Sequence, residues 1–373
     1  MTGSRSARLK VLKRRKPLVV GFLPENDCAP LVVAQELGLF RAYGLDVELS
    51  CEATWKRLAE KLVHRELDAA HAPGALPFLM NLKLTPENCD CVSGMVLSLQ
   101  GNAITVSREL WRKGVQDAAT IGEYVSKSAG RGVTFGVTCP LSAPYSLLCQ
   151  WLREGDIPGP VGLRIVSVSA WELFPMMKLG YLDGFCAGEP WSSLAVQAGV
   201  GMCLSSSAQL APMHPEKVLA VRKDFAEKRC EEHERLIAAL IEACRFCDRP
   251  ENRGWLCQLL AQPQFVNAPF EALEPGLCGP FAPEDKRIDA LHGLNIFHRG
   301  RANEPSAGRA GWITARLYEF LRWSSRPAAL ARVFRPDIFR RAQALARPGK
   351  LRGGRQRWQT DEPQLKRRLR QPT

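Results

Sequence analysis

The stretch Pro17-Leu18-Val19-Val20-Gly21-Phe22-Leu23-Pro24-Glu25-Asn26-Asp27-Cys28-Ala29-Pro30-Leu31-Val32-Val33-Ala34 decides the fold class. Its apolar run Leu18 to Leu23 is too short to cross a membrane and reads as a buried strand. Polar turn residues follow, and Leu31 to Phe40 then carries a helical pattern. The same alternation continues outward. Strand-like runs recur at Val47 to Leu49, Ile104 to Val106, Val133 to Val137, Arg164 to Val168 and Gly184 to Ala187. Helical stretches lie between them at Trp55 to His64, Tyr145 to Arg153, Trp171 to Leu179 and Trp191 to Ala198, several starting after Asn, Ser, Thr or Pro. This order predicts an α/β fold with mostly parallel sheets. Past Lys217 longer helices take over, such as Cys230 to Cys247 and Gly311 to Ser324, so the second half is expected to pack on the first rather than repeat it. No internal repeat of fixed period is visible.

A chain of 373 residues, 46% of them hydrophobic, can bury a large core divided into two domains or two lobes. The net charge of +13 would suggest nucleic acid or an anionic membrane if it were spread over a folded face. It sits instead at the ends. Met1 to Lys16 holds seven basic residues and no acid, and Arg347 to Thr373 holds nine against Asp361 and Glu362, leaving the stretch between them near neutral. Both ends have the composition of basic disordered tails, 1–16 and 346–373, with a docking arm for an acidic protein, RNA or lipid as the alternative. No direct contact with nucleic acid is expected, because the basic residues are not interleaved with aromatics on one face.

Thirteen cysteines without a regular framework imply a reducing, cytoplasmic setting with no disulfides. Cys89/Cys91 and Cys244/Cys247 lack a second pair at zinc-site spacing, and the histidines form no metal spacing, so neither metal nor cofactor is expected. The basic start meets too short an apolar core for a secretory signal; the Arg14-Arg15 pair keeps twin-arginine export to the periplasm as the alternative. No run of about 20 apolar residues exists, so no membrane span is expected.

Several runs in one order carry a resemblance. They are Gly21-Phe22-Leu23-Pro24, Asp27-Cys28-Ala29-Pro30-Leu31-Val32-Val33-Ala34, Gly44-Leu45-Asp46-Val47-Glu48-Leu49, Leu67-Asp68-Ala69-Ala70-His71 and Asn102-Ala103-Ile104-Thr105. Asp183-Gly184-Phe185-Cys186, Gly188-Glu189-Pro190-Trp191, His214-Pro215-Glu216-Lys217-Val218-Leu219 and Arg335-Pro336-Asp337 follow. From about residue 17 to about 345 the chain resembles the nitrate-, bicarbonate- and sulfonate-type solute-binding proteins of ABC transporters, and within them the nitrate branch. The resemblance implies a two-lobed periplasmic-binding-protein (type II) fold with a hinge and a ligand cleft between the lobes. Lobe one would be 17–104 plus 215–345, including the C-terminal helical part, and lobe two 105–214, with the crossings at Ile104 to Val106 and just before Lys217. Members without an export signal resemble cytoplasmic nitrate and nitrite sensors that work through an ANTAR-type RNA-binding antiterminator.

Nitrate is flat, weakly basic and singly charged, so its cleft needs convergent donors, one cation and an aromatic or apolar wall. Trp55, opening a helix, suits that wall, against a plain core tryptophan. Asn102 after Gln100-Gly101 matches the family's amide on the oxyanion, the glycine letting backbone come close; a turn-forming Asn is the alternative. Lys217 matches the family's cationic ligand, with Glu216 facing away, against a solvated surface lysine. Ser142 in Cys139-Pro140-Leu141-Ser142-Ala143-Pro144 can cap the following helix or donate to an anion at its N-terminus. There the chain departs from the nitrate pattern, since Pro144 stands where the family commonly has a histidine donor, and proline donates nothing. Glu189, with Trp191, either shapes the cleft wall and hinge or only fixes a turn, and His71 either faces the cleft at a strand end or is satisfied in the core.

These residues predict a non-catalytic protein that closes around nitrate or nitrite and acts as a cytoplasmic sensor of nitrate assimilation through a partner. The alternative is the substrate-binding component of a nitrate/bicarbonate-type ABC importer. An enzyme of the same fold superfamily, like the thiamin-pyrimidine synthases, would need a tight cysteine-rich run and a paired histidine, and Cys89-Asp90-Cys91 is too sparse to match.

Overall fold

The computed structural model describes residues 16–127, 132–155, 157, 162–279, 281, 293–322 and 330–346. Apart from Lys16 and Ala346, the two expected tails lie outside these residues. Ala346 is partly buried against the core under the first sheet, so the packed body reaches one residue further than the expected boundary at 345.

Ten strands form two five-stranded sheets. The first holds β1 (Leu18–Phe22), β2 (Val47–Cys51), β3 (Ala69–Pro73), β4 (Cys91–Leu99) and β10 (Pro215–Arg222) in the order β2-β1-β3-β10-β4. The second holds β5 (Asn102–Ser107), β6 (Val133–Val137), β7 (Leu163–Ser167), β8 (Gly184–Gly188) and β9 (Gly201–Ser206) in the order β7-β6-β8-β5-β9. β1 pairs parallel with β2 and β3, and β6 with β7 and β8. β10 runs antiparallel to β3 and β4, and β5 antiparallel to β8 and β9. Each sheet is therefore parallel but for one strand, and that strand is the one the chain enters after crossing from the other sheet.

The two sheets share one topology, so the lobes repeat each other in architecture without a repeat in sequence. The helices past Lys217 do pack on the first lobe: Cys230–Cys247, Pro250–Leu260 and Pro336–Leu345 contribute to one apolar core with β1 and the helix Ala29–Glu36. Separate cores lie under the second sheet, one around Phe135, Leu148 and Trp151 and another around Leu173, Phe185 and Trp191.

The first crossing comes earlier than expected. β4 ends at Leu99, Gln100 and Gly101 turn with φ of 60° and 99°, and β5 already pairs with β8 at Asn102. Gly101 is required there, since a Cβ would run into the side-chain amide of Asn295. The glycine thus serves close packing against the first lobe rather than backbone approach to a ligand. The return runs from Ser206 through the short helix Ser207–Leu210 to β10.

Candidate functional site: the cleft between the lobes

A cavity of about 370 Å³ opens between the two sheets. From the first lobe it is lined by the turn after β1, by Ala53 to Lys56 after β2, by Pro73 at the end of β3, and by Glu216 and Lys217 of β10. The second lobe supplies Thr138 after β6, Ser142, and Ser167 to Ala170 at and after the end of β7. Carboxyl ends of parallel strands from both sheets face one space, the position where open α/β sheets hold ligands. A larger groove of about 560 Å³ lies outside, between the helices Ala143–Glu154 and Ala307–Leu321 and beside Leu163 and Ile165 of β7.

Three of the residues expected in the site line the cavity: Trp55, Ser142 and Lys217. Thr54 caps the helix Trp55–Val63 by accepting from Arg57 N at 3.2 Å, which fixes Trp55 half-buried on the first turn at the rim. Ser142 precedes the helix Ala143–Glu154 without capping it; its hydroxyl donates to Cys139 O at 2.5 Å. Pro144 also lines the cavity, as an apolar face.

Lys217 departs from the expected picture. Its ammonium is almost wholly buried and lies 2.8 Å from Glu25 Oε2, 3.0 Å from Asp27 Oδ2 and 3.1 Å from Glu216 Oε1. Glu216 does not face away. The ladder between β10 and β4 shifts register around Lys217, and an irregular ladder lets successive side chains meet. Sequence reasoning did not single out Glu25 or Asp27 at all; the signal was available, two acids in the turn after the first buried strand, where a strand end meets the cleft.

Behind the cage lie two further expected residues. His71 is fully buried on β3, its Nε2 3.1 Å from Asp27 Oδ1, so it supports the cage and does not line the cavity. Asn102 is also fully buried, and its Nδ2 donates to Glu216 Oε2 at 2.5 Å, beside His214 Nε2 at 3.4 Å. The amide is spent on a carboxylate because β5 begins at Asn102, drawing the side chain under β10 rather than into the cleft.

Glu189 is placed at the crossing, not on the cavity wall. Its backbone N donates to Gly101 O at 2.9 Å, its O accepts from Asn26 N at 2.8 Å, and its Oε2 accepts from Ser193 N at 3.3 Å. Burial pushes its carboxyl up to about 7 against the help of the Ser193 and Ser192 hydrogen bonds. Trp191 is buried in the core beneath.

The charges in the cage follow from its contacts. Burial opposes the charge of each acid, but the Lys217 ammonium, with His71, holds Asp27 well below the usual carboxylate range, and with His214 it holds Glu216 low. Glu25 goes the other way: burial, with Asp27 and Glu216 nearby, raises it despite the lysine. Burial works against Lys217 as well, yet three carboxylates keep it charged, well above the usual lysine value. Among the described residues no group of His, Cys, Asp and Glu could hold a metal ion; in the cage the ammonium takes the place a cation would occupy. The Sγ atoms of Cys89 and Cys91, and of Cys257 and Cys278, lie 3.7 Å apart as free thiols.

Two lobes, exchanged strands and a cleft at the strand ends define a two-lobed binding protein of the periplasmic type. The model of the NMT1-like family matches residues 13–261, and the chain belongs to that family. The nitrate import ATP-binding protein NrtC of Synechocystis sp. (strain ATCC 27184 / PCC 6803 / Kazusa) is 33% identical over 331 residues, 86% of this chain and 49% of that protein. The chain thus spans about half the length of the import ATP-binding relatives it matches. The bicarbonate-binding protein CmpA of Synechococcus sp. (strain ATCC 27144 / PCC 6301 / SAUG 1402/1) is 28% identical over 338 residues, 87% of this chain and 73% of that protein. Among solved structures, the periplasmic nitrate-binding protein NrtA from Synechocystis PCC 6803 superposes with a TM-score of 0.82 at 24% identity, covering 88% of each chain. CmpA and NrtA are named as binding proteins for bicarbonate and nitrate.

Proposed function

We propose that the chain binds a small planar oxyanion, nitrate or nitrite, in the interlobe cleft and closes on it without chemistry. The observation that carries this reading is the buried ammonium of Lys217 on the cavity wall, with Trp55 at the rim and the apolar face of Pro144 opposite. Residues 54–56, 138, 142, 144, 167–170 and 216–217 would form the contact surface. Among the described residues lobe one would extend over 17–99 and 215–346 and lobe two over 102–206, so closure would turn on Gln100-Gly101 and the segment from Ser207 to His214.

Closure changes the surface offered to a partner, and the thirteen cysteines suit a reducing compartment, so the reading is a cytoplasmic sensor acting through a partner protein such as an ANTAR-type antiterminator. A second reading is favoured by the matched proteins themselves, import ATP-binding proteins and binding proteins. In it the chain serves a nitrate/bicarbonate-type importer as its binding component, exported if it follows the periplasmic NrtA. No helix among the described residues is long and apolar enough to cross a membrane.

Calorimetric titration with nitrate, nitrite, bicarbonate and sulfate tests the shared core of both readings. Saturable one-site binding of nitrate or nitrite supports them, and the absence of binding to any of the four removes them. Small-angle scattering with and without ligand then reads closure.

A further inference from the structure

An ammonium has three N–H donors, and three carboxylate oxygens crowd that of Lys217. An anion that reaches it must displace one of them. Asp27 has His71 Nε2 3.1 Å behind its Oδ1 and accepts from Ser98 Oγ at 3.4 Å. Glu216 is held by Asn102 Nδ2 at 2.5 Å and His214 Nε2 at 3.3 Å. Glu25 has only Lys217 as an ion-pair partner among the described residues, and it lines the cavity. Glu25 is therefore the acid an entering anion displaces.

The displaced carboxylate stays out of bulk water. Glu25 is 3% exposed, and a Cβ on Gly188 of the facing lobe would already lie 3.0 Å from its Oε1. The charges that face it are Lys217 and Glu216 from β10 and Asp27 from its own turn, with His71 and His214 behind those acids; Lys56 and Glu172 stand on the cavity wall. With the lysine taken by an anion, the charges that act on it most directly are the acids Asp27 and Glu216. A buried carboxylate stripped of its counter-charge neutralises by taking up a proton.

We propose that the anion enters this cleft together with one proton, which the Glu25 carboxylate takes from solvent. The inference rests on the anion-binding reading above. One O–H bond forms, on Glu25, and none breaks in the ligand. The exchange also repairs the chemistry of the site. Before it the cage holds three acids against one cation; after it the lysine has a donor free for the anion, and the new O–H supplies a second to a ligand that has only acceptors.

The test is calorimetry of the full chain with nitrate at pH 7 in imidazole, bis-Tris and Tris, buffers of different ionisation enthalpy. About one proton should be taken up per nitrate bound, with affinity rising about tenfold for each pH unit lost in the window between the free and bound titrations of Glu25. The bound state holds the extra proton, so lower pH favours it. Glu25→Gln keeps a donor and carries no charge; its proton count should be near zero and its affinity independent of pH between 6 and 8. Wild-type binding with no proton uptake overturns the inference while leaving the anion reading in place, as does a Gln variant that still takes up a proton. Absence of nitrate binding by both heat and tryptophan fluorescence from pH 6 to 8 overturns the anion reading and the inference with it. The wild-type buffer series decides by itself if the variant does not fold.

Discussion

Replacing Lys217 by methionine removes one charge and almost no volume, and three buried acids lose the cation they share. Glu25, Asp27 and Glu216 are each under a tenth exposed and each within 3.1 Å of the ammonium. Breaking a buried ion pair from one side costs about 3–5 kcal/mol, because the remaining charge is left uncompensated. Asp27 and Glu216 retain polar partners in His71, Ser98, Asn102 and His214, so the loss should lie within that range at pH 7.5 rather than at a multiple of it. The pH dependence has a definite sign. In the wild type Asp27 and Glu216 are held low, so their contribution is present above the unfolded carboxylate values and is lost only as pH falls through the folded ones. Without the lysine, burial raises all three, the folded variant binds more protons than the unfolded chain, and the deficit shrinks from pH 7.5 to pH 5. Urea unfolding at both values reads this, with Lys113→Met as the exposed control, since the Lys113–Glu109 pair on the surface is worth about 0–1 kcal/mol. Adding Glu25→Gln to Lys217→Met should recover part of the loss. A deficit below about 1 kcal/mol at pH 7.5, or one that grows on acidification, would refute the argument that the cage is closed around the lysine.

The same Lys217→Met protein should bind nitrate at least about tenfold more weakly, read by calorimetry; unchanged affinity would remove the lysine from the site. Glu189, pushed up to about 7 by burial, binds a proton in the folded state that it has lost in the unfolded chain between its ordinary value and 7, so its contribution falls as pH rises through that window. Glu189→Gln should therefore stabilise by up to about 3 kcal/mol at pH 8.5 and change little at pH 4.5, as denaturant midpoints at the two values will show. Gly101→Ala places a Cβ against Asn295 at a φ of 99° and should destabilise by more than about 1 kcal/mol in thermal unfolding, whereas Gly114→Ala, at a φ of 95° but with nothing within 4 Å, isolates the backbone cost. Trp55→Ala, at the rim and outside the fully buried cores, should weaken nitrate binding in calorimetry with a smaller loss of stability than the roughly 3–5 kcal/mol of a core aromatic truncation.

The sequence was most legible where strands are short, apolar and buried on both faces. Leu18 to Phe22, Val133 to Val137 and Gly184 to Gly188 are buried or nearly so throughout, which is why their unbroken apolar pattern identified them. β10 is not among the strands the sequence marks: the stretch before Lys217 reads as the second crossing, and longer helices are expected past it. The charges of Glu216 and Lys217 at its head are buried because Lys217 pairs with Glu216 and with two acids nearly 200 residues away, Glu25 and Asp27, contacts that leave no local trace. The same holds for Asn102. Its place after a glycine suggested a ligand amide, but the crossing happens two residues earlier, and pairing with β8 from Asn102 onward turns the side chain toward Glu216. Spacing could bring Lys217, Trp55 and Ser142 to one cavity only through the family resemblance, because they sit on β10, a helix start and the far lobe.

Glu216 joins the parts that the sequence kept apart. Its Oε1 touches the ammonium on the cavity wall, and its Oε2 takes the Asn102 amide at the first crossing and lies 3.3 Å from the His214 ring at the second. His214 stacks on Trp312 at 5.1 Å, and Trp312 packs against the cores of both lobes. One carboxylate thus contacts the candidate ligand cation and both hinge strands, so any event that moves Lys217 changes a hydrogen bond at each crossing. A substitution at Glu216 will alter binding and closure together and cannot separate them. Glu25 and Trp55 touch the cavity without touching either crossing segment, and variants at those two positions are the ones whose binding defects can be assigned to the ligand contact itself.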